Sequence, residues 1–384
     1  KMSGFELRAA DGTVGLSTTV VPTPAGSQIH VDVAGRELRL DQLALVAGGV
    51  EGLRGRGSLS GSLDLGPRKN AADLLLAIEG EYLDYPAVKV AGEIELERRE
   101  LHVSLSSKAG QGLATAVVDA RVKTPSDPLD GRAWARAGRA AIESVDVLTK
   151  VGDFGRVTRW FPTSPLIAGK VVASVHAERG GQDAAMRIDA EGLQSLWTTD
   201  ASEVHLNVDL EGTELEVAGA ARAGMIGNVF FDGRIETPAD PFDSPEWARR
   251  GISSIERFEL RLKNAWPTKD LWALMGVPDP PRGQAELAVE FFGKDKVVSL
   301  RGELARVLAG PLRDPASAVI VAQLDERGAM TKVKLGLGKV PAVDIAASLG
   351  LTFVDVLGSR WDNLPNTPFS AEVNSPLLDV PRMT

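Results

Sequence analysis

Residues 124–143 read TPSDPLDGRAWARAGRAAIE, and residues 237–256 read TPADPFDSPEWARRGISSIE. Thr124, Pro125, Asp127, Pro128, Asp130, Trp134, Ala135, Arg136, Gly138, Ile142 and Glu143 return 113 positions later as Thr237, Pro238, Asp240, Pro241, Asp243, Trp247, Ala248, Arg249, Gly251, Ile255 and Glu256. Identities this dense at one offset mark an internal repeat, and a repeat governs how every other segment is read.

The repeat reaches well beyond this stretch. Gly57 opens GSLSGSLDL, Gly169 opens GKVVASVHA and Gly283 opens GQAELAVEF, at spacings of 112 and 114. Leu59, Leu63 and Leu65 align with Val171, Val175 and Ala177, then with Ala285, Val289 and Phe291. Leu96, Glu100, Leu101, Val103 and Gly110 align with Leu210, Glu214, Leu215, Val217 and Gly224, and Trp361 follows Trp247 by 114 positions. The chain therefore divides into a partial repeat at 1–56 and repeats at 57–168, 169–282 and 283–384, the last diverged. No Pro/Ser/Gly-rich connector separates them, so they are expected to form one continuous sheet.

Inside each repeat the signal has period two. HLNVDL puts Leu206, Val208 and Leu210 on one side, with Asn207 and Asp209 on the other. ELHVSLSS does the same with Leu101, Val103 and Leu105, and KVKLGL with Val333, Leu335 and Leu337. Strict alternation predicts half-buried strands. Short turn segments such as Glu211-Gly212-Thr213 predict antiparallel hairpins in a meander. About six strands per repeat, or roughly twenty in all, follow from this spacing. Two short helices per repeat are expected. One lies after the Pro-Asp stretch, with Asp130 or Ser244 as N-cap and Pro245 in the first turn. The other precedes the glycine opener, in DQLALVAG from Asp41, DFGRVTRWF from Asp153 and KDLWALMG from Lys269.

Composition narrows the classes. The 384 residues carry a net charge of −9, which argues against a nucleic-acid partner. There is no cysteine, so disulfides, thiolate zinc sites and cysteine nucleophiles are excluded. No apolar run is long enough to span a membrane. The chain reads as a segment of a longer protein, with any targeting or anchoring element outside it.

The pattern poses a physical problem. Some twenty strands each carry an apolar face, and the helices are too few and too short to cover it. The sheet must close into sandwiches, close into a barrel, or stay continuous and curl so that the apolar face lines a trough. Without linkers between repeats, the expectation is a mostly β protein: a long antiparallel meander curled into an open trough. Its wall is expected to include Leu59, Leu63, Leu101, Val103, Leu105, Val171, Val175, Leu206, Val208, Leu210, Leu287, Val289, Phe291, Val333 and Leu335. Aromatic residues are 5% of the chain, so the wall is aliphatic. Such a wall suits acyl chains, which are recognised by burial at roughly 0.8 kcal/mol per methylene.

Glycine-opened strands such as GSLSGSLDL, alternating strands after them, short Asp-Leu helices and long meanders resemble the AsmA-like superfamily, and within it the TamB-type translocation and assembly module subunits. The resemblance covers most of the chain in architecture. It implies a periplasmic β-taco, open along one side, that carries phospholipid between inner and outer membranes as a bridge-like lipid transfer protein. It also implies partners outside this chain: an inner-membrane anchor and an outer-membrane barrel. The resemblance does not extend to the Pro-Asp/Trp insertions, which are not assigned to the family's common pattern. A second reading is a structural or adhesive stalk of tandem β-sandwiches, and a third is an assembly factor that receives strands of outer-membrane proteins at an open edge.

Other motifs read more plainly. The Asp127/Asp130 and Asp240/Asp243 pairs supply too few oxygens for calcium and read as turn and cap chemistry. Trp134, Trp247 and Trp361 read as anchors packing a short helix on the sheet rim. His30, His102, His176 and His205 alternate to the polar side of strands, and nothing groups them into a metal site. No nucleophile elbow, phosphate loop or zinc-protease helix is present. The sequence thus predicts no enzyme, no cofactor and no metal.

Overall fold

The computed structural model describes residues 2–9, 12–24, 26–39, 53–66, 70–82, 87–126, 130–157, 166–195, 198–223, 227–266, 281–308, 314–357 and 367–375. Two compact units emerge, Lys1–Leu196 and Trp197–Thr384. The protein is mostly β, with a few short helices.

In the first unit, β1 (Met2–Ala9), β2 (Gly12–Thr23), β3 (Gly26–Arg39), β4 (Leu53–Leu65), β5 (Ala71–Tyr82), β6 (Val88–Glu97), β7 (Glu100–Ala109) and β8 (Ala114–Lys123) follow one another. Helix α1 (Gly131–Ala137) leads into β9 (Ile142–Val151), and α2 (Phe154–Val157) precedes β10 (Leu166–Glu178) and β11 (Asp183–Ser195). Each strand pairs antiparallel with its neighbour in sequence, from β1–β2 through β10–β11.

The second unit repeats the scheme. It runs through β12 (Thr198–Glu211), β13 (Glu214–Ala223), β14 (Gly227–Glu236), α3 (Ser244–Arg250), β15 (Ile255–Ala265), β16 (Arg282–Phe292) and β17 (Val297–Leu308). It ends with β18 (Ala316–Leu324), β19 (Ala329–Leu337), β20 (Val340–Leu349), α4 (Phe353–Leu357) and β21 (Phe369–Asn374). All its pairings are again antiparallel and between consecutive strands. Among the described residues no pairing joins a unit's first strand to its last. Each unit is an open antiparallel meander, not a barrel, as the continuous alternation predicts.

The surface area shows what this openness means. The chain exposes 24818 Å². Two compact globular units sharing its 40.7 kDa would together expose about 17,600 Å². Among the described residues only nine apolar side chains are buried, Pro238 included, and four of those are alanines. Among the described residues no second sheet packs over the apolar faces, and outside the short helices their side chains are half-sheltered by neighbours across and along the strands.

The 113-residue sequence repeat is six strands long. Its glycine openers Gly57, Gly169 and Gly283 fall in β4, β10 and β16. The β8–β9, β14–β15 and β20–β21 connections, also six strands apart, carry α1, α3 and α4. Asp130 caps α1 by accepting the Arg132 backbone N–H at 2.9 Å. For α3 the cap is Asp243, whose carboxylate accepts the Glu246 N–H at 3.1 Å, and not Ser244 as expected. A carboxylate facing the free N–H groups of the first turn is the stronger acceptor, and Ser244 and Pro245 fall inside that turn. Gly138 and Gly251 end the two helices with positive φ of 51° and 55°, a conformation glycine adopts without Cβ strain. The expected helices at 41–48 and 269–276, together with Asp127 and Trp361, lie outside the described residues.

Candidate functional site

The register places every expected wall residue on one face of its sheet. In an antiparallel pair, directly opposed residues share a face. Across the first unit one row runs Leu59, Leu76, Gly92, Leu105, Val118, Val147, Val175 and Met186. The flanking rows hold Leu63, Leu96 and Leu101 on one side, and Leu74, Ile94 and Val103 between. Val171 sits four residues from Val175, opposite Val151 and Ala190. In the second unit Leu206, Gly219, Phe231, Leu260, Val289, Leu300 and Ala322 form one row. Val208, Val217, Gly233, Phe258, Phe291, Val298 and Leu324 form the next. Leu287, Val333 and Leu335 extend the same face, and Leu210 lies opposite Leu215 at its margin.

This face is level because bulky residues are set against glycines. A Cβ on Gly92 would stand 2.4 Å from the Leu105 side chain, and one on Gly219 would stand 2.2 Å from the Phe231 ring. Each large side chain lies over the vacant position across the strand, which is the close approach that glycine permits in a sheet. Sequence reasoning missed Leu74 and Leu76 because Leu75 between them breaks the alternation in ADLLLAIEG. Leu75 is in fact turned to the polar face and exposed.

The Pro-Asp/Trp insertions brace one rim of each meander. Thr124 donates its backbone N–H to Arg99 O in the β6–β7 turn, and Thr237 does the same to Thr213 O in the β12–β13 turn, both at 2.8 Å. Gly293, in the β16–β17 turn, donates to Ile255 O at 3.0 Å, so the α3 insertion meets hairpins on both sides. The Trp247 indole N–H donates to Pro241 O at 2.8 Å and folds the loop back on itself. Leu96 and Leu210 are buried at these rims, as are Thr124 and Thr237. The two threonine hydroxyls have no hydrogen-bond partner. In the third position α4 lies over the apolar face itself: Phe353 is 2% exposed, and its ring stacks on Phe291 at 5.6 Å.

The opposite face is charged and internally paired. Arg257 bridges Glu259 at 2.7 Å and Glu290 at 3.2 Å, and Arg261 also holds Glu259. The register puts Asp232, Glu259 and Glu290 side by side, a like-charged row these arginines neutralise. The Arg261 hydrogen bond holds the Glu259 carboxyl below its ordinary range. All four histidines lie on this face, as expected. His30 meets Asp64 at 2.7 Å, His102 meets Asp119 at 2.8 Å and His176 meets Asp146 at 2.7 Å. These hydrogen bonds raise the three imidazoles above their ordinary value. Among the described residues no group of three or more His, Asp or Glu could hold a metal ion. Nor is any helix among them long and apolar enough to cross a membrane.

Among the described residues the apolar face is mostly aliphatic, with a few hydroxyls such as Ser107, Thr149 and Thr331. It offers a hydrocarbon surface many strands long in each unit, backed by a charged face. The chain matches no protein-family model, no curated protein and no solved structure.

Proposed function

We propose that this chain is a periplasmic segment of a bridge-like lipid transfer protein, in which phospholipid acyl chains travel along the apolar face while headgroups stay in water. One observation carries the reading: among the described residues the apolar face of each meander runs on from strand to strand with no second sheet over it, and in the second unit only the short helix α4 is seen to lie on it. A contiguous apolar surface beyond a few hundred Å² is rare on a protein that works alone in water and marks a place where something apolar binds. The resemblance to TamB-type subunits of the AsmA-like superfamily agrees with it, and supplies the expected partners: an inner-membrane anchor and an outer-membrane barrel. No residue is catalytic in this reading.

Lipid extraction and native mass spectrometry of the purified chain test it, with co-purified phospholipid the expected result. Val208→Asp, which puts an unpaired charge in the apolar path, is expected to stop phospholipid passage in cells. Undiminished transport with charges at several such positions would rule the continuous path out.

A further inference from the structure

We propose that the hollow beneath α4 seats the end of one hydrocarbon chain; the proposal rests on the lipid reading above and assigns it a holding site. The floor is the apolar face of β17–β20, with Val298, Leu300, Leu324 and Leu349, and α4 and its lead-in bring Leu351 and Val356 over it. The hollow has a volume of about 390 Å³ and is open to solvent along part of its boundary.

An internal comparison shows how the hollow arises. β6–β7, β12–β13 and β18–β19 are equivalent hairpins, because Leu96 opposes Leu101, Leu210 opposes Leu215 and Leu324 opposes Ala329. One step inward, Ile94 opposes Val103, Val208 opposes Val217, and Ala322 opposes Thr331. The third hairpin has therefore lost a leucine at Ala329 and a β-branched side chain at Ala322. Leu96 and Leu210 are buried where the larger partners remain, whereas Leu324 stays half-exposed.

The roof is nonetheless firmly built. Thr352 and Asp355 cap α4 reciprocally: the Thr352 N–H donates to Asp355 Oδ2 at 3.1 Å, and the Asp355 N–H donates to Thr352 Oγ1 at 3.3 Å. Phe353 donates its backbone N–H to Asp325 O at 2.9 Å, beside its ring stack on Phe291. A firm roof over a floor emptied of carbon is a seat and not a packing fault.

The lining chooses the occupant. Gln323 and Ser348 border the hollow, but the register turns their side chains to the other face, where they bond Asp325 and Ser370. The Thr331 hydroxyl is directed to Val321 O. A peptide strand would find no partners for its N–H and C=O groups, and water needs two or more polar neighbours. An apolar cavity of about 150 Å³ accepts benzene, so this one has room for on the order of a dozen methylenes, more than one side chain fills. A lipid tail has that size and needs no hydrogen bond.

The test is photocrosslinking with palmitic acid carrying a diazirine near its methyl end, mapped by peptide mass spectrometry. The unaltered chain is expected to be labelled at Leu300, Leu324 or Val356. The double substitution Ala322→Val with Ala329→Leu restores side chains that the equivalent hairpins already accommodate, and circular dichroism and melting check that it folds. It is expected to cut labelling there at least tenfold while leaving labelling at Val103 and Val208 unchanged. Equal labelling of the hollow before and after filling, or labelling only elsewhere on the apolar face, overturns this site and leaves lipid carriage standing. No labelling of any apolar-face residue overturns both.

Discussion

The rims at α1 and α3 differ from the one at α4, although all three interrupt the meander at the same point of a six-strand repeat. At the first two, a Thr-Pro turn is strapped to the neighbouring hairpin and Leu96 or Leu210 is packed away beneath it. At the third, Leu351 and Phe353 occupy the corresponding stretch, the helix reaches inward to Phe291, and the floor under it is hollow. The same connection can thus serve as a brace, where it seals the margin, or as a roof, where it leaves space over the apolar face. The difference is made by a few carbons on the facing hairpin, not by a change of fold.

Four substitutions or conditions sharpen that contrast. Phe353→Ala removes the anchor of the roof, and we expect a loss of about 3–4 kcal/mol in urea unfolding, the usual cost of emptying a buried aromatic position. Leu210→Ala at the braced rim should cost about 3 kcal/mol, whereas Leu324→Ala at the roofed rim should cost about 1 kcal/mol, since its side chain already borders empty space. Equal costs would mean that the two rims are packed alike. Thr237→Val should raise stability by about 1 kcal/mol, because it replaces a buried hydroxyl that has no partner with a methyl of similar shape. A loss of stability would show that this hydroxyl is satisfied in solution.

The smallest expected effect is one of pH, and it belongs to the charged face of the first unit. His30, His102 and His176 each hydrogen-bond an aspartate, which raises their folded pKa above the ordinary histidine value. A raised folded pKa gives stability that is fully present below the unfolded value of about 6.5 and disappears as pH rises through the folded value. The urea midpoint should therefore fall slightly between neutral and mildly alkaline pH, and the combined variant His30→Asn, His102→Asn and His176→Asn should flatten that slope. A slope unchanged in the triple variant would assign the effect to other groups.

Much of the architecture was legible in the sequence, for a definite reason. Alternation in HLNVDL or KVKLGL fixes which side chains share a face, and the structure keeps all of the expected wall residues on one face of their unit. The repeat of Trp134 and Trp247 located the rim insertions, and Asp130 their first cap. What could not be read was whatever depends on the opposing strand. Leu74 and Leu76 were hidden by Leu75, and nothing in a single strand shows that Gly219 lies under Phe231. The hollow was hidden most deeply, since Ala322 and Ala329 look like ordinary strand alanines until the register shows them to be the counterparts of Val208 and Leu215 in the equivalent hairpin.

The central claim is that the apolar face is open and takes lipid. The absence of natural cysteine makes one measurement direct: the rate at which an aqueous maleimide labels Val208→Cys in delipidated, folded protein, with and without added phospholipid. The account predicts labelling without unfolding, and strong protection once phospholipid is present. A thiol that reacts only on unfolding, or equally fast with and without phospholipid, would contradict it.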